Sequence, residues 1–425
     1  MKTGVLTAMN TTKTFKNKIT YNTTGRDKLK LTFLILSSMM TMMGGAAVAP
    51  SLPGISAYFS GYPESVIALI ITLPSLAIVL SGWFIGMICD RVGKVRPLMI
   101  SLAFFALFGS SGAYLSSLEM ILVGRALLGI AIAGIMTTTI ALVSDYYSGP
   151  ERIRVIGYQS AAMGIGAIVL ETSGGLLASF GWRETFLIYL IALLFIPGVL
   201  LTMKEPKRED NTSISQDFNE SKVEKKGLSF TQLALIYISV FGVMLMFYTL
   251  PTKLPYLLQA AGISSTVVSG ALLGIPGFIS AFSALSCSRL YYYFKRNTIM
   301  ATGFLLIALG FLIIGTVSGF IFLILGLVLV GTGQGLLLPT LVGWLSEIAP
   351  AKRYGTLYGI YSVFFYLGQF VSGFVSQPII DISGTYQMVF TLGGLYSIIM
   401  TAVFVFLIFG KKVHAKNKHE SDKST

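Results

Sequence analysis

Two ionisable side chains stand among residues that leave them no water. Arg125 lies in LVGRALLGIAIAG and Glu171 in GIGAIVLETSGGLLASFG, each the lone charge of a long apolar stretch. Ionisable groups in such surroundings are costly, so they face a cavity or a partner and are functional by default. Arg125 lies about four residues from one end of its stretch, and Glu171 about seven from the matching end of its own; at 1.5 Å per residue the depths differ by roughly 5 Å, within reach of an arginine. The two are therefore expected to meet. Two roles remain open for them. Burial penalises the charge on Glu171 while a guanidinium favours it, so a conformational change could load and release a proton. Alternatively the two form a permanent buried pair that only fixes packing.

Other chemistry is missing. His414 and His419 fall in the C-terminal tail, and no paired acids or G-x-x-x-x-G-K-[ST] loop occur. An enzyme needs a nucleophile or a metal cluster, and ATP-driven pumping needs that loop. We expect no catalytic residue, no metal and no cofactor. Cys89 and Cys287 both fall at the cytoplasmic ends of predicted spans, where a disulfide is not expected, and two cysteines make no metal framework.

The elements that must position these groups follow from composition. Of 425 residues, 54% are hydrophobic and 12% charged, about half the charge a soluble surface uses. Charge is being excluded, as hydrocarbon demands. A helical crossing takes about 20 apolar residues. On that rule spans are predicted at 31–48, 65–86, 97–116, 120–143, 156–178 and 185–203, then at 229–249, 267–288, 298–316, 320–345, 356–378 and 387–409. The first is read as a retained span rather than a signal peptide, with a kinked extension through Pro50 and Pro53. The fold class is thus an all-α membrane protein with twelve transmembrane helices in two six-helix bundles.

Charges orient the map. All of the 31 Lys and Arg except Arg125, Arg183 and Lys253 fall in the two tails and the loops on their side. Basic loops stay in the cytoplasm, so both termini are placed there and the protein in the cell membrane. Of 18 carboxylates, Glu64, Glu119, Glu184 and Asp381 are placed in external loops and Glu171 alone within a span. The net charge of +13 is spread over short loops, which reads as topology and not as a nucleic-acid groove.

The chain divides into a tail at 1–30, a bundle at 31–203, a charged linker at 204–228, a second bundle at 229–410 and a tail at 411–425. The halves echo one another at an offset of about 200 residues, a known transporter plan. PSLPGISAYFS answers PTKLPYLLQAAG, and the loop with Lys94 and Arg96 answers Lys295 and Arg296. VSDYYSGPERIRVIGY answers LSEIAPAKRYGTLYGI, which pairs Asp145 with Glu347.

The loop after the second span, GMICDRVGKVRPLM, is similar to the GxxxDRxGRKxxL signature of the major facilitator superfamily, with Gly86, Asp90, Arg91, Gly93, Lys94 and Arg96 matching. LVGRALLG resembles the RxxQG motif, with Arg125 and Gly129 matching and Leu128 in place of glutamine. ETSGGLLASFGWRETF resembles the GxxxGPxxGG and WRxxF motifs of its twelve-span drug/proton antiporter group. Gly174, Gly175, Trp182, Arg183 and Phe186 match, while Leu170 and Glu171 replace the usual Gly-Pro. Many relatives also carry an acid in span one, and this chain has none there.

The resemblance implies a conformational gate in which Gly86 allows close helix packing, Gly93 turns the loop, and one basic residue pairs with Asp145 when the protein opens outward. Gly129, Gly174 and Gly175 would serve helix packing. It implies a mid-membrane cavity for a small-molecule substrate, with Met39, Met43, Tyr248, Gln334, Trp344, Tyr361 and Gln369 as candidate lining. The C-terminal half is read as holding no buried charge, which disfavours a strongly anionic substrate. The expected partners are protons, the substrate and the lipid bilayer, with the chain acting as a monomer. The leading function is proton-coupled efflux of small amphipathic compounds by alternating access. Proton-coupled uptake of a nutrient, or a non-transporting receptor or scaffold, stand as alternatives.

Overall fold

The computed structural model describes residues 25–44, 46–205, 229–350 and 353–421. Residues 206–228 of the expected linker, most of the expected N-terminal tail and residues 422–425 lie outside them, as do the side chains of Met43 and Asp90 and those beyond Phe409. Among the described residues there is no strand.

Eleven helices are long and apolar enough to cross a membrane. Spans two to five are Glu64–Val92, Val95–Gly109 with its continuation Ser111–Tyr114, Leu118–Tyr146 and Gly149–Ala178. Span six begins as a 3-10 helix, Glu184–Leu194, and ends as Phe195–Thr202. Spans seven to twelve are Phe230–Ala260, Thr266–Tyr293, Arg296–Thr316, Phe320–Ile348, Tyr354–Ser383 and Gln387–Ser421.

Span one makes the twelfth crossing and is broken. It runs as Gly25–Met39, two 3-10 segments, Met40–Met43 and Ala46–Ser51, and a short helix, Leu52–Tyr58. Gly44 weakens the helix, and Pro50 and Pro53 each remove a donor. The break expected at the prolines thus begins earlier, where Met40–Met43 winds as a 3-10 helix ahead of Gly44.

Several helices overrun their expected ends. Span seven was expected to stop at 249, before Pro251, yet the helix carries both Pro251 and Pro255 inside it. Prolines are tolerated in membrane helices because neighbours satisfy the freed carbonyls. Lys253 is therefore helical and fully buried, not a loop residue, and the expectation of no buried charge in the second half is wrong.

Within the first half, span four packs on spans two and three; within the second, span nine packs on ten and twelve, and seven on eleven. Span five against eight and span two against eleven join the halves. The five–eight contact is built from backbone. A Cβ on Gly175 would strike the Thr266 carbonyl and Gly270, one on Gly270 would strike the Glu171 carbonyl, and one on Gly164 would strike Ala281. Gly274 and Gly277 meet Ile168 and Ala167 in the same way. Close approach of small residues is how helices associate where lipid removes the hydrophobic drive between them. Outward-facing side chains such as Leu80, Trp83, Ile321 and Phe406 are largely exposed, as a protein solvated by acyl chains requires.

Candidate functional site

Arg125 is fully buried in span four. Its Nε donates to the Ile70 carbonyl at 2.6 Å and its Nη2 to the Gly44 carbonyl at 2.5 Å. Both acceptors are products of broken helix. Pro74 lacks the N–H that would bond Ile70 four residues earlier, and Gly44 sits where span one unwinds. The guanidinium also lies 5.0 Å from the Tyr189 ring and 6.0 Å from that of Phe186. Its Nη1 is buried without a hydrogen-bond partner.

The expected pairing with Glu171 is not formed: none of the ion pairs among the described residues joins the two. Matching depth does not fix direction around the helix, and the orphaned carbonyls claim the guanidinium. Glu171 instead stands at the join between the halves, with its backbone against Gly270 of span eight. Its Oε2 is shielded from solvent and has no hydrogen-bond partner. Tyr248 of span seven lies in electrostatic range of Glu171, Arg125 and Tyr189, close beside Ser75.

Ser75 belongs to a mid-depth seam that the sequence did not reveal. Its hydroxyl donates to Gln369 Oε1 of span eleven at 2.7 Å, and Gln369 Nε2 approaches Met244 Sδ at 3.6 Å. Tyr366 donates to Met136 Sδ of span four at 3.1 Å. Glu171, Tyr248, Ser75, Gln369 and Tyr366 thus line the meeting plane of the two bundles. The signal available for Tyr366 was its spacing from Gln369 along one helix face.

The candidate lining residues are divided by the structure. Tyr248 and Gln369 join this seam. Met39 packs against Gly166 of span five. Gln334 is buried with Oε1 unpartnered. Tyr361 belongs to a ladder of rings on span eleven, 5.6 Å from Tyr358 and 6.5 Å from Phe365. Trp344 is not a lining residue. It is sealed between the Arg296 guanidinium at 4.2 Å and the Phe404 ring at 6.3 Å, because its face of span ten turns toward spans nine and twelve. Two apolar grooves, of about 250 and 400 Å³, open between spans seven, eleven and twelve and between spans three and four. None of the expected lining residues whose side chains are described borders either.

Two faces differ in closure. On the face opposite the termini, here the far side, Lys253 Nζ meets Glu64 Oε2 at 3.0 Å and Gln377 Oε1 at 3.1 Å. Tyr386 donates to Glu64 Oε1 at 2.6 Å, and Tyr256 bonds Ser56 at 3.1 Å. Burial, and then the bond to Glu64, hold the Tyr386 phenol above its ordinary pKa, so it stays a donor.

On the termini side each half carries the same ion pair, between residues 51 apart. Lys94 meets Asp145 at 2.5 Å, and Arg296 meets Glu347 at 2.6 Å. The Lys94 pair is formed while the far side is closed, so it does not mark an outward-open state alone. Gly93 has φ +100°, and a Cβ there would strike the Glu205 carboxylate. That carboxylate accepts from the N–H of Lys94 at 2.5 Å and of Val95 at 3.0 Å, at the start of span three. Arg91 and Arg96 are exposed. Gly86 has nothing within 4 Å of its Cβ position, nor do Gly157, Gly355 and Gly359. The close packing expected at Gly86 is absent because the halves meet on the far side and at mid-depth and part toward the termini.

A family profile described as Major Facilitator Superfamily matches residues 34–301 and 293–424. Multidrug resistance protein 1 of Bacillus subtilis is 24% identical over 376 residues, covering 86% of this chain and 93% of that protein. The multidrug efflux protein YfmO of the same organism is 29% identical over 174 residues, 40% of this chain and 43% of its own. Among solved structures, the nucleoside transporter NupG superposes with a TM-score of 0.72 at 13% identity, over 89% of this chain and 99% of that one. At that identity the likeness speaks for the fold alone.

Proposed function

The chain belongs to the major facilitator superfamily, and we propose that this secondary transporter expels small amphipathic compounds in exchange for protons. Its family moves solutes without chemically transforming them, so the reading concerns coupling and cargo. The termini-bearing face, with its basic loops, is taken as cytoplasmic. The chain then rests with its cytoplasmic side parted.

One observation carries the proposal: at the plane where the halves meet, the Oε2 of the Glu171 carboxylate is shielded from solvent and has no hydrogen-bond partner. Buried charge is relieved by a partner or by a proton, and Arg125 is already committed to Gly44 and Ile70. A proton is the neutraliser left to Glu171 in this state. Rocking of the bundles changes what surrounds the seam, so the carboxylate is hydrated from one side and then the other. Tyr248, Gln369 and Met136 give cargo a surface of aromatic, amide and thioether groups, which adapt to varied shapes. Lys94 with Asp145 ties to span four the turn at Gly93, which joins the end of span two carrying Gly86, Asp90 and Arg91 to the start of span three carrying Arg96, so that this half moves as a body. Likeness over nearly its full length to a multidrug resistance protein favours efflux over uptake.

The test uses proteoliposomes with an imposed pH gradient and a fluorescent lipophilic dye. Glu171→Gln should abolish gradient-driven dye movement while leaving dye binding. Undiminished gradient-driven transport by that variant sinks the coupling role.

A further inference from the structure

The ion pairs Lys30–Asp27, Lys94–Asp145 and Arg296–Glu347 each lie within one half, whereas Lys253–Glu64 joins the halves. It does so on the far side, the face that alternating access requires to open next. Lys253 is 0% exposed, while Glu64 keeps 25% of its side-chain surface. The ammonium has Glu64 Oε2 and Gln377 Oε1 within hydrogen-bond distance and the Tyr256 ring at 5.6 Å. The other Glu64 oxygen accepts from Tyr386, and Gln377 in turn donates to Asp381 at 2.9 Å. The contact thus reaches from the start of span two into spans seven and eleven and the turn before span twelve.

Such a cluster has two settings and little between them. While the halves touch, every charge in it is answered; a partial separation strands an ammonium out of water, which is costly. Full separation hydrates Lys253 and Glu64 alike. Packed interfaces of this sort are bistable, not continuously deformable. If the lysine charge is removed, the Glu64 carboxylate of one half and the Asp381 carboxylate of the other remain in one seam without a cation, and their repulsion favours parting.

We infer that Lys253 and Glu64 are the latch of the far side: their pairing holds that face shut, and its rupture is the step that opens the transport path there. They are positioning residues, acting on the equilibrium between the two facing states and not on cargo. The inference rests on the alternating-access reading proposed above, but its test needs neither substrate nor a proton gradient, so the outcome for Glu171→Gln leaves it untouched.

Two reporters read the two faces. Ala68, buried beside Gly373 of span eleven, is replaced by cysteine and labelled with a membrane-impermeant maleimide in a background lacking Cys89 and Cys287. Spin labels at Val92 and Tyr358, both exposed at the termini side, report the gap there. Lys253→Met and Glu64→Gln should each speed labelling at position 68 by about tenfold or more, the range of ordinary conformational coupling, and shorten the Val92–Tyr358 distance. If one variant does not fold, the other carries the test. A folded variant with both readouts at the wild-type level overturns the inference. Faster labelling without the reciprocal shortening also overturns it, since that marks local loosening. Should the far side not be external, labelling from outside fails in every variant while the distances still decide.

Discussion

Replacing Arg125 by leucine strips two backbone carbonyls of their donors. Ile70 O lost its intrahelical partner to Pro74, and Gly44 O to the break in span one; both lie in an interior without water. An unsatisfied buried acceptor costs about 1–3 kcal/mol, so the substitution should destabilise the fold by roughly 2–6 kcal/mol, less whatever is recovered by no longer burying a charge. The decisive arm is a double-mutant cycle with Pro74→Ala. Alanine supplies the missing N–H, Ile70 regains its helical bond, and Arg125→Leu should then cost about 1–3 kcal/mol less than it does beside proline. Unfolding of the detergent-solubilised protein, followed by heat or denaturant, gives all four corners. Distant independent sites add within about 0.3–0.5 kcal/mol. Additivity at that level would refute the idea that the guanidinium serves the carbonyl orphaned by Pro74.

Two further outcomes follow from the loops and the seam. Gly93→Ala meets a positive φ of 100° with extended ψ, which costs a residue with a side chain about 1–3 kcal/mol, and displaces Glu205 from the start of span three; a lowered melting temperature with reduced transport is expected. Gly175→Val drives a branched side chain into the backbone of span eight, so transport should fall at least about tenfold while the protein stays monodisperse, as small-to-large changes at close helix crossings do. Wild-type uptake or efflux rates in that variant would show the crossing to be loose.

The bundle plan was legible because hydrocarbon leaves few choices: apolar length gave the spans, and polar punctuation gave the repeat. The paired loops were legible too, since Lys94 and Asp145 recur as Arg296 and Glu347 at the same separation. Azimuth was not. Glu171 and Arg125 match in depth, yet a linear pattern does not fix which way each points around its helix. Pro74 did announce a free carbonyl at Ile70, and a reading that tracked orphaned acceptors could have named a partner for Arg125. Lys253 was hidden by convention, because two prolines and a lysine together look like a loop. For Trp344, membership of a cavity-lining span says nothing about which face of the helix the ring occupies.

The glycine-lined crossing of spans five and eight has a mechanical meaning. Interlocked side chains must unmesh and find new rotamers before one helix can tilt on another, and each such step adds a barrier. Here main chain bears on main chain at Gly175 and Gly270, so the surface there is smooth at the scale of a methyl group. A joint of that kind acts as a bearing: it fixes where the two bodies touch while leaving the angle between them nearly free. The energy that selects an angle must then come from elsewhere, from the charged contacts at either rim.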